Sequence, residues 1–358
     1  MNLQLELLSD RDREAWDTLV KENNYSCFMQ SWTWADFKEL QGYKTFRYGL
    51  FRSKISANSF QSKAEIQQPK ILVGGCIFSL YPHPVGSNIL LATGGPIFLP
   101  EWAELGIPLL LEVAEQLARE FSVSSSLGIN SSIIALRIEP LWSQKPFWLP
   151  ADFVRSPADL MPMETLLIDL QPTPTAMLAN MKPKGRYNLR LSWRYGVTAE
   201  FRQDDAAIAL FYDLFWETVQ RQNFFGEPFG FFINLCQTLF RADMAEIGFA
   251  RWQGESLAAI LVVYWGDRCT YLYGGRSEKH PHVMASYALH WAAMQRAKAR
   301  GCKIYDFYGF STDPDHAYFQ FSRFKGQFGG AIAKTIGAHD YFFYDCLADK
   351  LIELLEKL

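Results

Sequence analysis

One order of elements occurs twice along this chain, and that repetition constrains the fold more than any other feature. In the first half, β-type runs at Thr45–Phe51 and Ile71–Leu80 lead to a strand at Ile89–Leu91 and the pair Gly94-Gly95. A helical pattern over Glu104–Phe121 and a strand at Ser132–Ile138 follow. In the second half, Ile247–Trp252 and Leu257–Trp265 flank the turn pair Gly254-Glu255, and Cys269–Tyr273 runs into Gly274-Gly275. A helix at Ser286–Arg300, stopped by Gly301, and a strand at Lys303–Tyr308 complete that copy. Two copies of one mixed α/β module are the economical explanation. The length of 358 residues agrees, since it exceeds what one hydrophobic core usually organises. Ahead of the first copy stand a strand, a helix at Arg11–Lys21 and an aromatic stretch, Phe28 to Trp34, entering a helix that ends near Gly42. The polar run Ser53–Lys70 reads as a solvated hairpin loop.

The formal charge is only −3, so binding to a polyanion requires positive charge gathered in one place. One segment gathers it. Met181 to Arg194 holds five cations and no acid, and Lys182, Arg186, Arg190 and Arg194 recur every four residues, one stripe on a helix. Pro183 suits the first turn of that helix. Cations at this spacing repel, and Lys182 and Lys184 stand where the helix dipole is already positive. Phosphates of a nucleic acid or a nucleotide sugar relieve both conflicts. The plainer alternative is a solvated face whose Arg stems pack on Tyr187 and Trp193.

Other groups exclude more than they suggest. The six cysteines show no C-x-x-C pair and no metal spacing, which points to free thiols in a reducing compartment. His280, His282 and His290 cluster without nearby Cys or paired acids, so no metal site is expected. The N-terminus does not read as a signal peptide. The longest strongly apolar run, Leu257–Trp265, is far shorter than the ~20 residues of a membrane helix. The expectation is a cytoplasmic protein without a transmembrane segment, with peripheral work near a membrane left open.

The strand–helix–strand order resembles the N-acetyltransferase-like fold. Members that use acetyl-CoA carry a Gly-rich loop before the helix, where backbone N–H groups meet a pyrophosphate. The corresponding stretches here, Phe98–Leu105 and Arg276–Ala285, hold no G-x-G. Acetyl-CoA is therefore not expected as cofactor, no other cofactor is implied, and the acyl donor is something else.

A more specific resemblance covers nearly the whole chain. Gln30-Ser31 through Trp34, Lys38 and Gly42 match "Q-S-x-x-W-x-x-x-K…G". The strand Thr165–Leu170 followed by Met181 to Val197 matches an apolar strand and "K-x-R-Y-N-x-R…G-V". Tyr271-Leu-Tyr273-Gly-Gly-Arg276, the helix over 285–301 and Tyr305-Asp-Phe-Tyr-Gly309 match a third block, and Phe324-Lys325 to Gly330 matches "F-K-x-x-F-G-G". In this order they resemble the FemABX peptidyltransferases. The resemblance implies two tandem N-acetyltransferase-like α/β domains: an acceptor-binding domain over 1–163, completed by a C-terminal helix at 338–358 that packs back on it, and a donor-side domain over 164–337 carrying the basic helix 182–194. Tyr341–Leu358, with Leu347, Leu351, Leu354 and Leu355 at helical spacing, suits that helix.

The same resemblance implies transfer of an aminoacyl group from aminoacyl-tRNA to an amino group of a muramyl-peptide or lipid-linked cell-wall precursor. It makes Lys325, after Phe324, the cation facing the reacting ester. Lys38, near Trp34, and Arg221 would grip the precursor's diphosphate, Tyr273 would line the acceptor channel, and the helix bearing Lys182, Arg186, Arg190 and Arg194 would lie near tRNA. An aminoacyl ester is already activated, so aminolysis requires positioning and oxyanion stabilisation more than a covalent nucleophile. No enzymatic base is evident in the sequence. Lys325 between Phe324 and Phe328 also fits an ordinary snorkelling lysine, and Asp306 a structural role at the Gly309 turn. One segment departs from the family: Leu90 to Pro100 lacks the basic residue, the tyrosine and the acid that many relatives carry around the first Gly-Pro. That departure puts the usual precursor in question and keeps two rivals alive, an N-acyltransferase of the same fold acting on polysaccharide or envelope substrates and a catalytically decayed binding scaffold.

Overall fold

The computed structural model describes residues 2–25, 27–53, 70–83, 87–124 and 132–343. It divides into two compact units, Met1–Met161 with the chain from Thr335, and Pro162–Lys334. The first unit contains β1 (Asn2–Leu7), α1 (Arg13–Glu22), α2 (Trp32–Leu40), β2 (Thr45–Ser53), β3 (Lys70–His83), β4 (Ser87–Thr93), β5 (Ile97–Phe98), α3 (Ala103–Ser124), β6 (Ile133–Glu139) and β7 (Val154–Arg155). The second contains β8 (Glu164–Asp169), α4 (Pro174–Asn180), α5 (Pro183–Arg194), β9 (Thr198–Arg202), α6 (Asp205–Gln222), α7 (Phe229–Arg241), β10 (Ala245–Trp252), β11 (Glu255–Trp265) and β12 (Arg268–Arg276). It continues with α8 (Ala285–Ala299), β13 (Ile304–Asp306), α9 (Phe319–Lys325) and β14 (Ala331–Lys334), after which β15 (His339–Phe342) returns to the first sheet.

Each unit is built on one mixed sheet. The first runs β1-β2-β3-β4-β6-β15-β7 with β5 beside β3, and the second β14-β8-β13-β12-β11-β10-β9. In both, an antiparallel meander ends in a strand that a crossover helix links to a parallel neighbour: β4 with β6 through α3, and β12 with β13 through α8. The hairpin signal at Gly254 is a two-residue loop in which Gln253 and Gly254 both have positive φ, 48° and 84°, the twist that suits a tight β-hairpin. β11 is buried along nearly its whole length, as its unbroken apolar run requires of a central strand. Leu50, Phe78, Leu90, Ile107 and Leu136 belong to the first core. Val262, Leu289, Tyr305, Phe307 and Phe328 belong to the second.

Three local features depart from the sequence reading. The strand expected to end at Gly274-Gly275 runs on through Arg276, still paired with β11 at Ala258. A Cβ at Gly275 would lie 2.3 Å from the Leu214 carbonyl oxygen, so that glycine lets α6 press onto β12 and does not turn the chain. At the C-terminal end, where a helix over 338–358 is expected, His339–Phe342 is a strand between β6 and β7. Alternating side chains there (Asp340 on Arg137, Tyr341 on Phe153) satisfy a sheet, not a helix. Residues 344–358 of that proposed helix, and 54–69 of the polar loop, lie outside the described residues. The helices α6, α7 and α9 have no counterpart in the sequence reading.

Candidate active site

The second unit holds a cavity of about 440 Å³ lined by α6, β11, β12, α8 and α9. β12 pairs in parallel with β13 only at Arg268, Cys269 and Thr270. Beyond that point β12 carries Tyr271, Gly274, Gly275 and Arg276 along the cavity, and α8 opens onto it with Ala285 and Ser286. First-turn N–H groups of a helix have no partner within the helix, so this end is electropositive. Arg221, Arg276 and Lys279 add three cations to the same wall. Arg221 is anchored by Nη1 to the Arg276 carbonyl at 3.1 Å and by Nη2 to Thr218 Oγ1 at 3.2 Å. Burial and the nearby Arg276 charge lower its pKa, so the pair repels in the absence of an anion. Glu278 offers Arg221 only a long contact of 3.9 Å, and Glu255 reaches Lys279 at 3.5 Å. The opposite lining is apolar and aromatic, with Phe321, Phe324 and Tyr287. This arrangement suits an anionic group with an attached apolar or planar part.

A bulge decides which tyrosine faces the cavity. Leu261 pairs with Tyr273 and Val262 with Tyr271, so Leu272 is an extra residue in β12. Without it, Tyr271 and Tyr273 would share a face. With it, Tyr271 lines the cavity, while Tyr273 packs edge-on against Phe215, Phe231 and Phe232. Burial raises the pKa of both phenols, Tyr271 to about 12, so both stay protonated. Tyr273, expected along an acceptor channel, is a member of the α6–α7 aromatic cluster.

Phe324 and Lys325 end α9 next to this cavity, and their roles differ. Phe324 lines the space. Lys325 is 7% exposed, and its Nζ donates to the carbonyls of Phe307 at 2.9 Å, Tyr308 at 3.0 Å and Gly309 at 2.7 Å. An ammonium has three protons, and these three acceptors take them all. The ring of Tyr271 lies 5.5 Å from Nζ. The clamped turn leaves β13 through Tyr308 and Gly309, both at positive φ. Asp306 supports it from the other side, accepting from Tyr308 N at 2.9 Å and from Arg268 at 3.1 Å. Burial pushes the Lys325 pKa down to about 7, with Asp306 pulling it upward.

Between these groups lies a residue that the sequence reading mentioned only as an unconvincing metal ligand. His290, on α8, lines the cavity, and its Nδ1 is 2.8 Å from Tyr305 Oη. Tyr271, Phe307, Phe324 and Phe328 surround its ring at centroid distances of 4.7–5.7 Å. Burial, with the Lys325 charge second, pushes its pKa down to about 3, so the imidazole is neutral. No sequence signal pairs His290 with Tyr305; only the packing of α8 on β13 does so. Arg276 and Lys279 were equally unmarked, although Arg276 ends a block already noted.

The remaining expected residues stand elsewhere. Lys38 and Trp34 belong to the first unit. Lys38 Nζ sits 3.9 Å from the centre of the Tyr43 ring, which stacks on Tyr81. Trp34 packs on Phe28 and Phe37. The expected basic helix is α5. Pro183, Arg186, Tyr187, Arg190, Trp193 and Arg194 line an open groove of about 850 Å³ on it. Arg186 is partly committed, donating to the carbonyls of Ala179 and Met181 at the end of α4. Among the described residues, no ion pair is recorded for Lys182, Arg190 or Arg194, and Tyr187 and Trp193 stand exposed beside them. His280 and His282 pack on Trp252, and among the described residues no group of three His, Cys, Asp or Glu side chains could hold a metal. Among the described residues, no helix is long and apolar enough to cross a membrane.

Comparison with known proteins meets this geometry at three levels. Residues 183–320, which include most of the cavity, match the model of the acetyltransferase (GNAT) domain. A crystal structure of FemX superposes with a TM-score of 0.75 at 16% identity, covering 97% of this chain and 99% of that one. A tandem GNAT protein from the clavulanic acid biosynthesis pathway superposes with a TM-score of 0.51 at 12% identity, covering 95% and 98%. The chain is thus a mixed α/β protein of the tandem N-acetyltransferase-like class. Among curated proteins, a Lipid II:glycine glycyltransferase of Staphylococcus epidermidis is 28% identical over 120 residues, 33% of this chain and 28% of that protein. One from Staphylococcus saprophyticus is 20% identical over 92% of this chain and 91% of its own length. Along most of its length the chain is thus similar to these glycyltransferases, and it shares its fold with FemX.

Proposed function

We propose that this protein joins an amino acid to an amino group of a peptidoglycan precursor peptide, taking it from the 3′ ester of an aminoacyl-tRNA in the cytoplasm. The observation that carries the reading is the likeness, over more than nine-tenths of both chains, to proteins named Lipid II:glycine glycyltransferase. The cavity supports it chemically. Arg221, Arg276, Lys279 and the first turn of α8 suit phosphates near the ester, and Phe321, Phe324 and Tyr287 suit the planar end of a nucleotide. The α5 groove, with Arg190, Arg194 and Lys182 beside exposed Tyr187 and Trp193, suits the tRNA backbone and its unpaired bases. Lys38 and Trp34 serve the acceptor in the first unit. Lys325 acts from behind Phe324, as the clamp of the turn at 307–309.

Incubation of the purified protein with a pool of charged tRNAs and lipid II, read by mass spectrometry, tests the proposal. A mass increase of one amino-acid residue on the pentapeptide is expected. An unchanged acceptor with every charged tRNA rejects it. Titration with acetyl-CoA should show no binding heat, since no Gly-rich phosphate loop precedes α8.

A further inference from the structure

We infer that His290 is a catalytic residue of this transfer: its Nε2–H donates to the carbonyl oxygen of the acyl ester and holds the oxyanion of the tetrahedral intermediate. This rests on the transfer reaction proposed above and assigns to His290 the task that the family resemblance lends to Lys325.

The tautomer follows from hydrogen-bond accounting. Tyr305 is fully buried, and among the described residues its hydroxyl has one recorded partner, His290 Nδ1. A buried O–H proton needs an acceptor, because leaving it unmade costs its full desolvation. The hydroxyl therefore donates and Nδ1 accepts, which puts the imidazole proton on Nε2. Nδ1 is thus occupied by Tyr305, and Nε2 is the ring nitrogen free to serve the cavity that His290 lines. The aromatic rings around it fix its plane, so the donor is oriented before substrate arrives. Lys325 Nζ is the nearby cation, yet its donors are taken by three backbone carbonyls. Burial, with the Lys325 charge second, keeps His290 neutral, and a neutral imidazole offers a hydrogen bond without surrendering the proton.

In the step itself, the acceptor amine nitrogen bonds to the ester carbonyl carbon, and the carbonyl π pair moves to the oxygen, which accepts from His290 Nε2–H. Collapse re-forms the C=O bond and breaks the bond to the ribose oxygen. That oxygen leaves with the pair and takes the proton lost by the attacking nitrogen. His290 ends as it began.

The test compares wild-type protein, His290→Phe and Tyr305→Phe in the lipid II assay with charged tRNA, together with ¹⁵N NMR of the histidine rings. His290→Phe should lower kcat by about 10²–10³-fold with little change in the KM of either substrate. Tyr305→Phe, which frees the tautomer without removing the donor, should lower kcat roughly tenfold and shift the His290 ring signals. In the wild type, the His290 signals should report the Nε2–H tautomer at neutral pH. A folded His290→Phe protein with wild-type kcat overturns the inference while the transfer reaction stands. An Nδ1–H tautomer overturns it whether or not His290→Phe folds. A wild-type protein inactive with every charged tRNA overturns the transfer reaction and this inference together.

Discussion

The two units share a topology and differ at the same joint. In the first, β4 pairs with β3 only from Ser79 to His83, then leaves it, and β5 takes its place at Gly74 and Gly75. The side-chain amide of Gln30 fills the gap: Nε2 donates to the Ile77 and Thr93 carbonyls at 3.1 and 2.9 Å, and Oε1 accepts from Ile77 N at 2.9 Å. A fully buried glutamine thus stands in for a missing peptide of the sheet. In the second unit β12 stays on β11 through Gly275 and Arg276, and the corresponding region borders a cavity with three cations. Both Gly-Gly pairs permit close approach, of Gln30 onto Gly95 in one unit and of α6 onto Gly275 in the other. One copy of the module fills this joint with a buried amide, and the other borders it with a cavity.

Four changes would break or sharpen that contrast. Gly275→Val should be the most damaging, because its Cβ would meet backbone atoms of Leu214 and Phe215 at 2.3–2.5 Å. A loss of more than about 3 kcal/mol is expected in urea unfolding, and an unaltered midpoint would show that α6 can move away. Gln30→Met keeps the volume and removes the amide. It should cost about 2–3 kcal/mol by orphaning the Ile77 and Thr93 groups, with faster hydrogen exchange in β3 and β4 and unchanged exchange in β11 and β12. Exchange that rises equally in both sheets would refute the local account.

Glu139, at the end of β6, gives the first unit a pH signature. Burial raises its pKa to about 7 from 4.5, against hydrogen bonds from Leu160 and Met161. The folded state therefore binds its proton more tightly than the unfolded state. The resulting stability is complete below about pH 4.5 and is lost as pH rises through 7. Glu139→Gln should flatten a fall of roughly 2 kcal/mol over that window, and a slope that persists would assign it to another group. The smallest effect belongs to the α5 groove. Arg190→Ala should weaken binding of the protein to tRNA and lower the slope of log affinity against log salt by about 0.7–0.9. An identical slope would take Arg190 off the phosphates.

How far the sequence could be read depended on the range of the interaction. The basic stripe of α5, the hairpin at Gly254 and the strands on either side of it were legible, because periodicity and turn chemistry act within a few residues. The motif of Phe324 and Lys325 was legible as a local pattern. The partners of Lys325 were not: a lysine after phenylalanine looks the same whether it meets a substrate or three carbonyls some 16–18 residues back. The surroundings of Tyr273 were not legible, for a different reason. Alternation assigns Tyr271 and Tyr273 to one face, and the single extra residue that separates them leaves no trace in composition. The strand at His339–Phe342 was hidden by leucines at helical spacing further along the chain.

By itself the sequence determined the class of fold, the duplication and the place of a cationic helix face, since hydrophobic period and local charge are properties of neighbours along the chain. Tertiary structure decided where the second unit's cavity lies, which tyrosine faces it, and that His290 and Tyr305 meet. Those outcomes depend on hydrogen bonds and contacts between residues far apart in sequence, whose geometry exists only once the sheets have assembled.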